Sequence, residues 1–332
     1  MSNSEFMQVI EETRKCLQDK TEWRKRYKGY AEEISPNVDT IKSVRSSFRE
    51  WSPLKVYLNI TAAKQAQSSV SFELRYFGQT VADLKGKKDG KHKLNTTKDY
   101  ERRNSRDFSC EICLSKADWD GKDAARFRKY FKNRKAGANK GNEEHRLQSL
   151  LLTEFSKTKN KVLRNIKPVT IGGVRFPMPT PISASNHKKV EYCRKGSKGY
   201  SGGIDILART GTGGKATRLC IIELKDENKK REPPKATMKQ AIAYTTFIRE
   251  LLRSEAGAGW WQVFGFRGKV PEPLELYAIC VMRSDCNNND YSFRDMELNI
   301  ERDIIKLHYL YFEEENNKIE IKPGNTTLGI IE

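Results

Sequence analysis

Two carboxylates and a lysine sit in apolar surroundings where charge is costly. Asp205 lies within Gly203-Ile204-Asp205-Ile206-Leu207-Ala208, and Glu223 and Lys225 lie within Leu219-Cys220-Ile221-Ile222-Glu223-Leu224-Lys225. Each run reads as a β-strand. Side chains alternate faces along a strand, so Cys220, Ile222 and Leu224 share one face and Ile221, Glu223 and Lys225 the other, away from the apolar set. The intervening Thr210-Gly211-Thr212-Gly213-Gly214-Lys215 has the composition of a turn, since glycine adopts positive φ without steric cost. A chain that doubles back there sets Asp205 beside Glu223. Adjacent carboxylates repel unless a cation lies between them. A hard divalent ion such as magnesium takes one or two carboxylates and keeps several waters. A neighbouring lysine can orient or deprotonate an attacking water and offset charge on a phosphate. That combination is a recipe for phosphodiester hydrolysis. The competing reading of the same residues is an edge-strand ion pair between Glu223 and Lys225, with Asp205 capping a turn.

The elements that must position these groups follow from the pattern around them. A helix is expected from Glu143 to about Ser156, buried through Leu147, Leu150, Leu151 and Phe155. It carries Glu144 at the edge of that stripe, with Glu143 as the alternative acid, and both are also natural partners of the helix dipole. Ile166 to Ile171 reads as a strand, and Pro177, Pro179 and Pro181 forbid a regular central strand beyond it. The segment 186–202 reads as a basic loop whose Lys188, Lys189, Lys195 and Lys198 lead into the acidic strand, placed for contact with a polyanion. After Lys225 a helix is expected over Lys235 to Arg253. Gln240 and Tyr244, four residues apart, share one of its faces and can reach a metal ligand or a phosphate, or form a partly buried polar pair. Strands are expected at Leu274 to Met282 and Ile305 to Phe312, with an edge strand at Lys318 to Lys322.

The N-terminal portion differs in character. Helical spacing runs from Ser4 to about Glu33 and again from Val38 to Trp51, each ended by Ser-Pro. Strand patterns follow at Leu54 to Ile60, Ser69 to Phe77 and Gln79 to Leu84, the last two suggesting a hairpin about Gly78. Lys85 to Lys91 reads as a basic loop. From Lys122 to Lys140 there are eight basic residues, among them Arg126, Arg128, Lys129 and Lys132, against Asp123 alone. Phe127, Tyr130 and Phe131 interleave with them, as rings that stack on bases or as the core side of a helix. The small polar stretch Ala136 to Gly141 marks a boundary between a domain of residues 1–140 and one of residues 141–332.

Composition bounds the partners. Among 332 residues, 62 Lys and Arg stand against 43 Asp and Glu, a net charge of +19, of which the first 140 residues carry +12. A polyanion, double-stranded DNA foremost, fits that excess. No apolar run approaches the roughly 20 residues that cross a bilayer. The N-terminus lacks the order of a signal peptide, so no membrane is expected and a cytoplasmic location is. Seven scattered cysteines argue for reduced thiols, and Cys110-x-x-Cys113 lacks a second pair at zinc-finger spacing. Gly213-Gly214-Lys215 is not an NTPase phosphate loop, because Ala216 follows the lysine and no glycine stands five residues before Gly214.

Taken in order, Glu144 (or Glu143), Gly203-Ile204-Asp205, Glu223-Leu224-Lys225 and Gln240-Ala241-Ile242-Ala243-Tyr244 resemble the core of the PD-(D/E)XK nuclease superfamily over residues 142 to about 312, the last motif being similar to the Gln-x-x-x-Tyr helix of its RecB and Cas4 branch. The departure is Gly203-Ile204-Asp205 where the superfamily's name has Pro-Asp. The resemblance implies an α/β fold with a restriction-endonuclease-like core, a mixed central sheet flanked by helices; residues 1–140 lie outside it and are expected to form an N-terminal α+β domain for recognition or assembly. It implies that Asp205, Glu223, the carbonyl of Leu224 and Glu144 hold magnesium, with manganese able to substitute, and that Lys225 activates water, aided by Gln240 and Tyr244. It further implies a DNA endonuclease leaving 5′-phosphate and 3′-hydroxyl ends, of restriction or phage-defence type. A homodimer would suit double-strand cutting. The alternative is a DNA-binding or assembly subunit on the same fold without catalysis.

Overall fold

Apolar residues at three- and four-residue steps build the first helices, α1 (Ser2–Asp19) and α2 (Glu22–Ile34), burying Phe6, Ile10, Leu17, Trp23 and Tyr27. The computed structural model describes residues 2–61, 69–96, 112–133, 143–156, 166–184, 190–193, 202–210, 217–226, 233–286, 296–316 and 318–323. The chain forms two compact units, one of Met1–Ala31, Leu150–Val169 and Pro177–Glu332, the other of Glu32–Ser149 and Thr170–Phe176. The expected boundary near 140 is therefore not where the units divide. Helix α1 belongs with the C-terminal strands, because its apolar stripe, Phe6 and Ile10, packs into the core that holds Met238, Ala241 and Ile242.

The second unit begins with α3 (Val38–Ser46), which stops short of the Trp51 end expected from sequence. An antiparallel sheet follows in the order β1 (Lys55–Leu58), β2 (Ser69–Tyr76), β3 (Gln79–Lys87), β4 (His92–Asn95) and β5 (Ala117–Asp118). Strand β2 buries every second residue, so Val70, Phe72, Leu74 and Tyr76 face the core. Its hairpin to β3 turns on Phe77 and Gly78, both at positive φ (44° and 79°), the backbone a two-residue hairpin needs for its twist. Lys85 to Lys87 extend β3 and are not loop, which leaves only Lys88 to Lys91 as the basic turn. Helix α4 (Lys122–Asn133) turns Ala124, Phe127 and Phe131 inward, so these rings are core side chains. Helix α5 (Glu143–Phe155) closes the series, and the division between units falls inside it.

In the first unit the sheet runs β14-β15-β13-β12-β11-β6, with β16 beside β15. The strands are β6 (Ile166–Pro168), β7 (Met178–Thr180), β8 (Ile182–Ser183), β9 (Glu191–Tyr192), β10 (Gly202–Ile204), β11 (Ile206–Thr210), β12 (Leu219–Leu224), β13 (Glu275–Arg283), β14 (Glu297–Ile300), β15 (Asp303–Glu315) and β16 (Lys318–Pro323). The sheet is mixed: β12, β13 and β15 are parallel neighbours, while β11, β14 and β16 pair antiparallel. A parallel pair needs a crossover. Between β12 and β13 it is made by α6 (Pro234–Arg253) and α7 (Gly257–Val263). Helix α6 is buried on nearly every side, and its Thr245 and Thr246 hydroxyls donate back to the carbonyls of Ala241 and Ile242 at 2.7 and 2.9 Å. Among the described residues no helix is long and apolar enough to cross a membrane.

A buried ionic network fixes the far end of α6. Asp303, only 1 % exposed, accepts from Arg249 at 2.8 Å, from Arg253 at 2.9 and 2.5 Å, and from the Leu274 N–H at 2.9 Å. Burial pushes its carboxyl up, but these donors outweigh it and hold the group below its ordinary range. Asp303→Asn takes from Arg253 the carboxylate it binds, while Arg249 keeps Glu250 and Glu301, and is expected to cost about 3 kcal/mol of unfolding free energy, read by chemical denaturation. In the second unit the half-buried Asp83 stands opposite Glu73 in the β2–β3 register. Desolvation first, then the Glu73 charge, raise its carboxyl to about 6. The folded chain thus holds a proton there that the unfolded chain has released, and stability falls as pH rises from about 4 to about 6. Asp83→Asn is expected to be more stable than wild type above pH 6 and equal to it below pH 4, in thermal melts across that range.

Candidate active site

Strand β12 is interior, bonded to β11 on one side and β13 on the other, and all six of its residues are buried. The edge-strand explanation of Glu223 and Lys225 therefore does not hold, and the face opposite Cys220, Ile222 and Leu224 is itself covered. Register identifies what covers that face. Glu223 lies beside Cys280 of β13, the ladder ends at the Leu224–Val281 pair, and continuing that register by one residue brings Lys225 alongside Met282. Cys280 and Met282 pack in one core with Met238, Ala241 and Ile242 of α6. Glu223 and Lys225 thus point to the α6 side of the sheet. Glu223 is 0 % exposed and Lys225 8 %.

Asp205 reaches the same place through a break in its strand. The sequence suggests one continuous strand from Gly203 to Ala208, but the chain bends at Asp205, where β10 leaves to pair with β7 and β11 begins its ladder with β12. Continuing the Ile206–Ile222 register by one step sets Asp205 opposite Glu223. The Asp205 N–H makes a long 3.5 Å contact to Glu223 Oε1, and Asp205 Oδ2 accepts the Leu224 N–H at 2.8 Å. The carboxylate thereby replaces a ladder bond that β11 would have supplied. On the other side the Lys225 N–H donates to the Val281 carbonyl at 3.1 Å. N–H and C=O of one strand residue point the same way, so the Leu224 carbonyl is directed to the Asp205 side.

Helix α6 contributes the remaining groups. Thr237 Oγ1 lies 3.8 Å from the Met282 sulfur, which puts the first turns of α6 over this end of the sheet. With 3.6 residues per turn, Gln240 and Tyr244 continue the line from Thr237. Both are buried, and Gln240 Oε1 has no hydrogen-bond partner among the described residues. An amide oxygen left unsatisfied in the interior costs about 1–3 kcal/mol unless something donates to it. The donor set of two carboxylates, a backbone carbonyl and an amide oxygen is all hard oxygen, which suits magnesium or manganese. Among the described residues no cluster of three or more His, Cys, Asp or Glu forms a metal-binding group.

The other sequence-predicted residues fall differently. Glu143 and Glu144 lie in the second unit, on the first turn of α5, where the Glu143 carboxylate is taken by Arg146 at 2.5 and 2.8 Å and Glu144 is half-buried. Arg126, Lys129 and Lys132 are exposed on α4, whereas Arg128 is half-buried against Trp119 and Trp51. Lys188, Lys189, Lys195 and Lys198, and the glycine turn 211–216, lie outside the described residues. Sequence reasoning missed Gly202. A Cβ there would stand 2.0 Å from the Ile182 carbonyl oxygen and 2.4 Å from Thr180 Oγ1, while at Gly203 the nearest atom would be 3.7 Å away. The strand that delivers Asp205 passes its neighbour at a separation only glycine allows.

No family model matches the chain, and neither does any curated protein or solved structure. Gly202→Ala is expected to lower the unfolding free energy by about 1–3 kcal/mol through overpacking, and Gly203→Ala by under about 1 kcal/mol, as measured by denaturant titration of the two variants side by side.

Proposed function

We propose that the chain is a magnesium-dependent nuclease of PD-(D/E)XK type that cuts DNA, acting on duplex DNA as a homodimer. The observation that supports this best is the meeting of Asp205, Glu223 and the Leu224 backbone at the end of an interior strand, on a sheet face that Lys225 and α6 share. A protein rarely sets two carboxylates together in its interior for stability alone, since each loses hydration and each repels the other. When bound, magnesium, or manganese in its place, polarises a phosphoryl oxygen and makes a coordinated water more acidic. Asp205, Glu223 and the Leu224 carbonyl are the residues to hold it. The Leu224 N–H fixes how the Asp205 carboxylate is turned. Lys225 orients the attacking water and offsets charge on the phosphate, while the Gln240 oxygen accepts a hydrogen bond from a group bound nearby. In-line attack would leave a 5′-phosphate and a 3′-hydroxyl, and a role in restriction or phage defence suits such an enzyme.

The full burial of Glu223 favours a second reading, a DNA-binding subunit on the same fold without catalysis. Plasmid cleavage separates the two. With magnesium, wild type is expected to nick or linearise supercoiled DNA and EDTA to stop it. Asp205→Asn, Glu223→Gln and Lys225→Ala are each expected to lower the rate by about 100-fold or more while DNA binding and folding persist. Cleavage by Glu223→Gln at the wild-type rate would remove that residue from the site. Binding without cleavage by wild type would establish the second reading.

A further inference from the structure

One large apolar side chain stands out at the surface of the described residues: Trp51, 36 % exposed, in the segment that follows α3. Two guanidiniums flank it. Arg49 and Arg128 each lie 4.7 Å from the Trp51 ring centroid, and Arg128 also lies 5.0 Å from that of Trp119. The arrangement is built into the unit and is not a chance of surface rotamers. Trp119 is buried, packs edge-on to Phe48 at 6.5 Å, and donates its indole N–H to the Arg49 carbonyl at 3.3 Å. Arg128 in turn donates to the Trp119 carbonyl. The loop holding Arg49 and Trp51 is thereby tied to the turn that precedes α4.

Neither arginine forms an ion pair with a carboxylate among the described residues, although acids are close. Within the same loop Glu50 is taken by Arg45 at 3.0 Å and by Lys55 at 3.3 Å. Asp118 is taken by Lys93 at 2.6 Å, and Asp120 acts on Arg128 only at longer range. Arg49 is exposed, and its guanidinium fits a phosphate as a two-pronged fork; Arg128 is half-buried with one N–H on the Trp119 carbonyl, which leaves its other N–H groups to a second contact. Lys122, Arg126, Lys129 and Lys132 are exposed along α4, the helix that carries Arg128.

We propose that Arg49, Trp51 and Arg128 form an anchor for a nucleic-acid strand, the two guanidiniums gripping backbone phosphates and the indole edge lying against a sugar or base. Repeating phosphates suit two guanidiniums with no carboxylate partner among the described residues, set around one ring, and the +12 carried by the first 140 residues supplies the long-range attraction. A membrane surface fits less well, since it calls for more than one exposed apolar side chain. Of the α4 rings that could stack on bases or pack inward, Phe127 and Phe131 are core and Tyr130 is half-buried, whereas Trp51 is exposed. The anchor stands independently of the metal site and goes beyond it by assigning a binding surface to the second unit.

The test uses the full chain in EDTA, so that no outcome depends on catalysis by Asp205 and Glu223, with fluorescently labelled 20-nucleotide DNA as single strand and as duplex. Arg49→Ala and Trp51→Ala are each expected to weaken binding of at least one of these by about 5- to 100-fold with unchanged thermal stability. Arg49→Ala is expected to reduce the slope of log affinity against log salt by about 1. Arg49→Lys is expected to keep the slope yet lose affinity, because an ammonium group cannot fork. Wild-type affinity and slope in both Arg49→Ala and Trp51→Ala would overturn the proposal. So would equal competition by polyglutamate, which would show charge alone at work.

Discussion

A carboxylate on an interior strand is the constraint around which the first unit is arranged. Glu223 has β11 on one side, β13 on the other and α6 across its face, so water does not screen it. Stripping a carboxylate of water is far more expensive than any single packing contact returns. The surroundings respond in kind: a second carboxylate at the bend of Asp205, backbone groups of Leu224 turned toward it, a lysine two residues on, and an unsatisfied amide oxygen at Gln240. Polarity of this density at one end of a sheet, in an interior otherwise lined by Ile, Leu, Cys and Met, is poor design for stability and good design for holding something charged.

Much of the frame was legible from local pattern. The Gly78 hairpin, the α4 and α6 helices and the doubling back that sets Asp205 beside Glu223 all follow from periodicities of two or 3.6 and from glycine at turns. Alternation also put Glu223 and Lys225 on one face. It could not say what covers that face, because strand period gives sides, not neighbours. The same limit explains α1. Its stripe of Phe6 and Ile10 is plain in sequence, but its partners lie more than 200 residues away, and nothing local marks that choice.

Two local details escaped for different reasons. The bend at Asp205 interrupts a run that is apolar on both sides, and its cause is distant: β10 finds its hydrogen bonds on β7, so the strand must turn out of one ladder into another. Gly202 is silent in sequence, since crowding by the Ile182 carbonyl belongs to the folded chain alone. In the second unit the aromatics of α4 had two readings. The helix chose the inward one for Phe127 and Phe131 because its other face is almost wholly charged, leaving no other stripe to bury.

Helix α6 is held by unlike means at its two ends. Near its C-terminus Arg249 and Arg253 meet the buried Asp303, whereas near its N-terminus Lys235 and Lys239 meet Glu5 at 3.1 and 2.8 Å in the open. Mobile ions screen the second grip and hardly touch the first. Ionic strength therefore acts more strongly on the N-terminal end of the rod. A saltier medium weakens the grip nearest Gln240 and leaves the opposite end clamped, so any loosening falls on the end where the amide oxygen sits and not where the arginines hold.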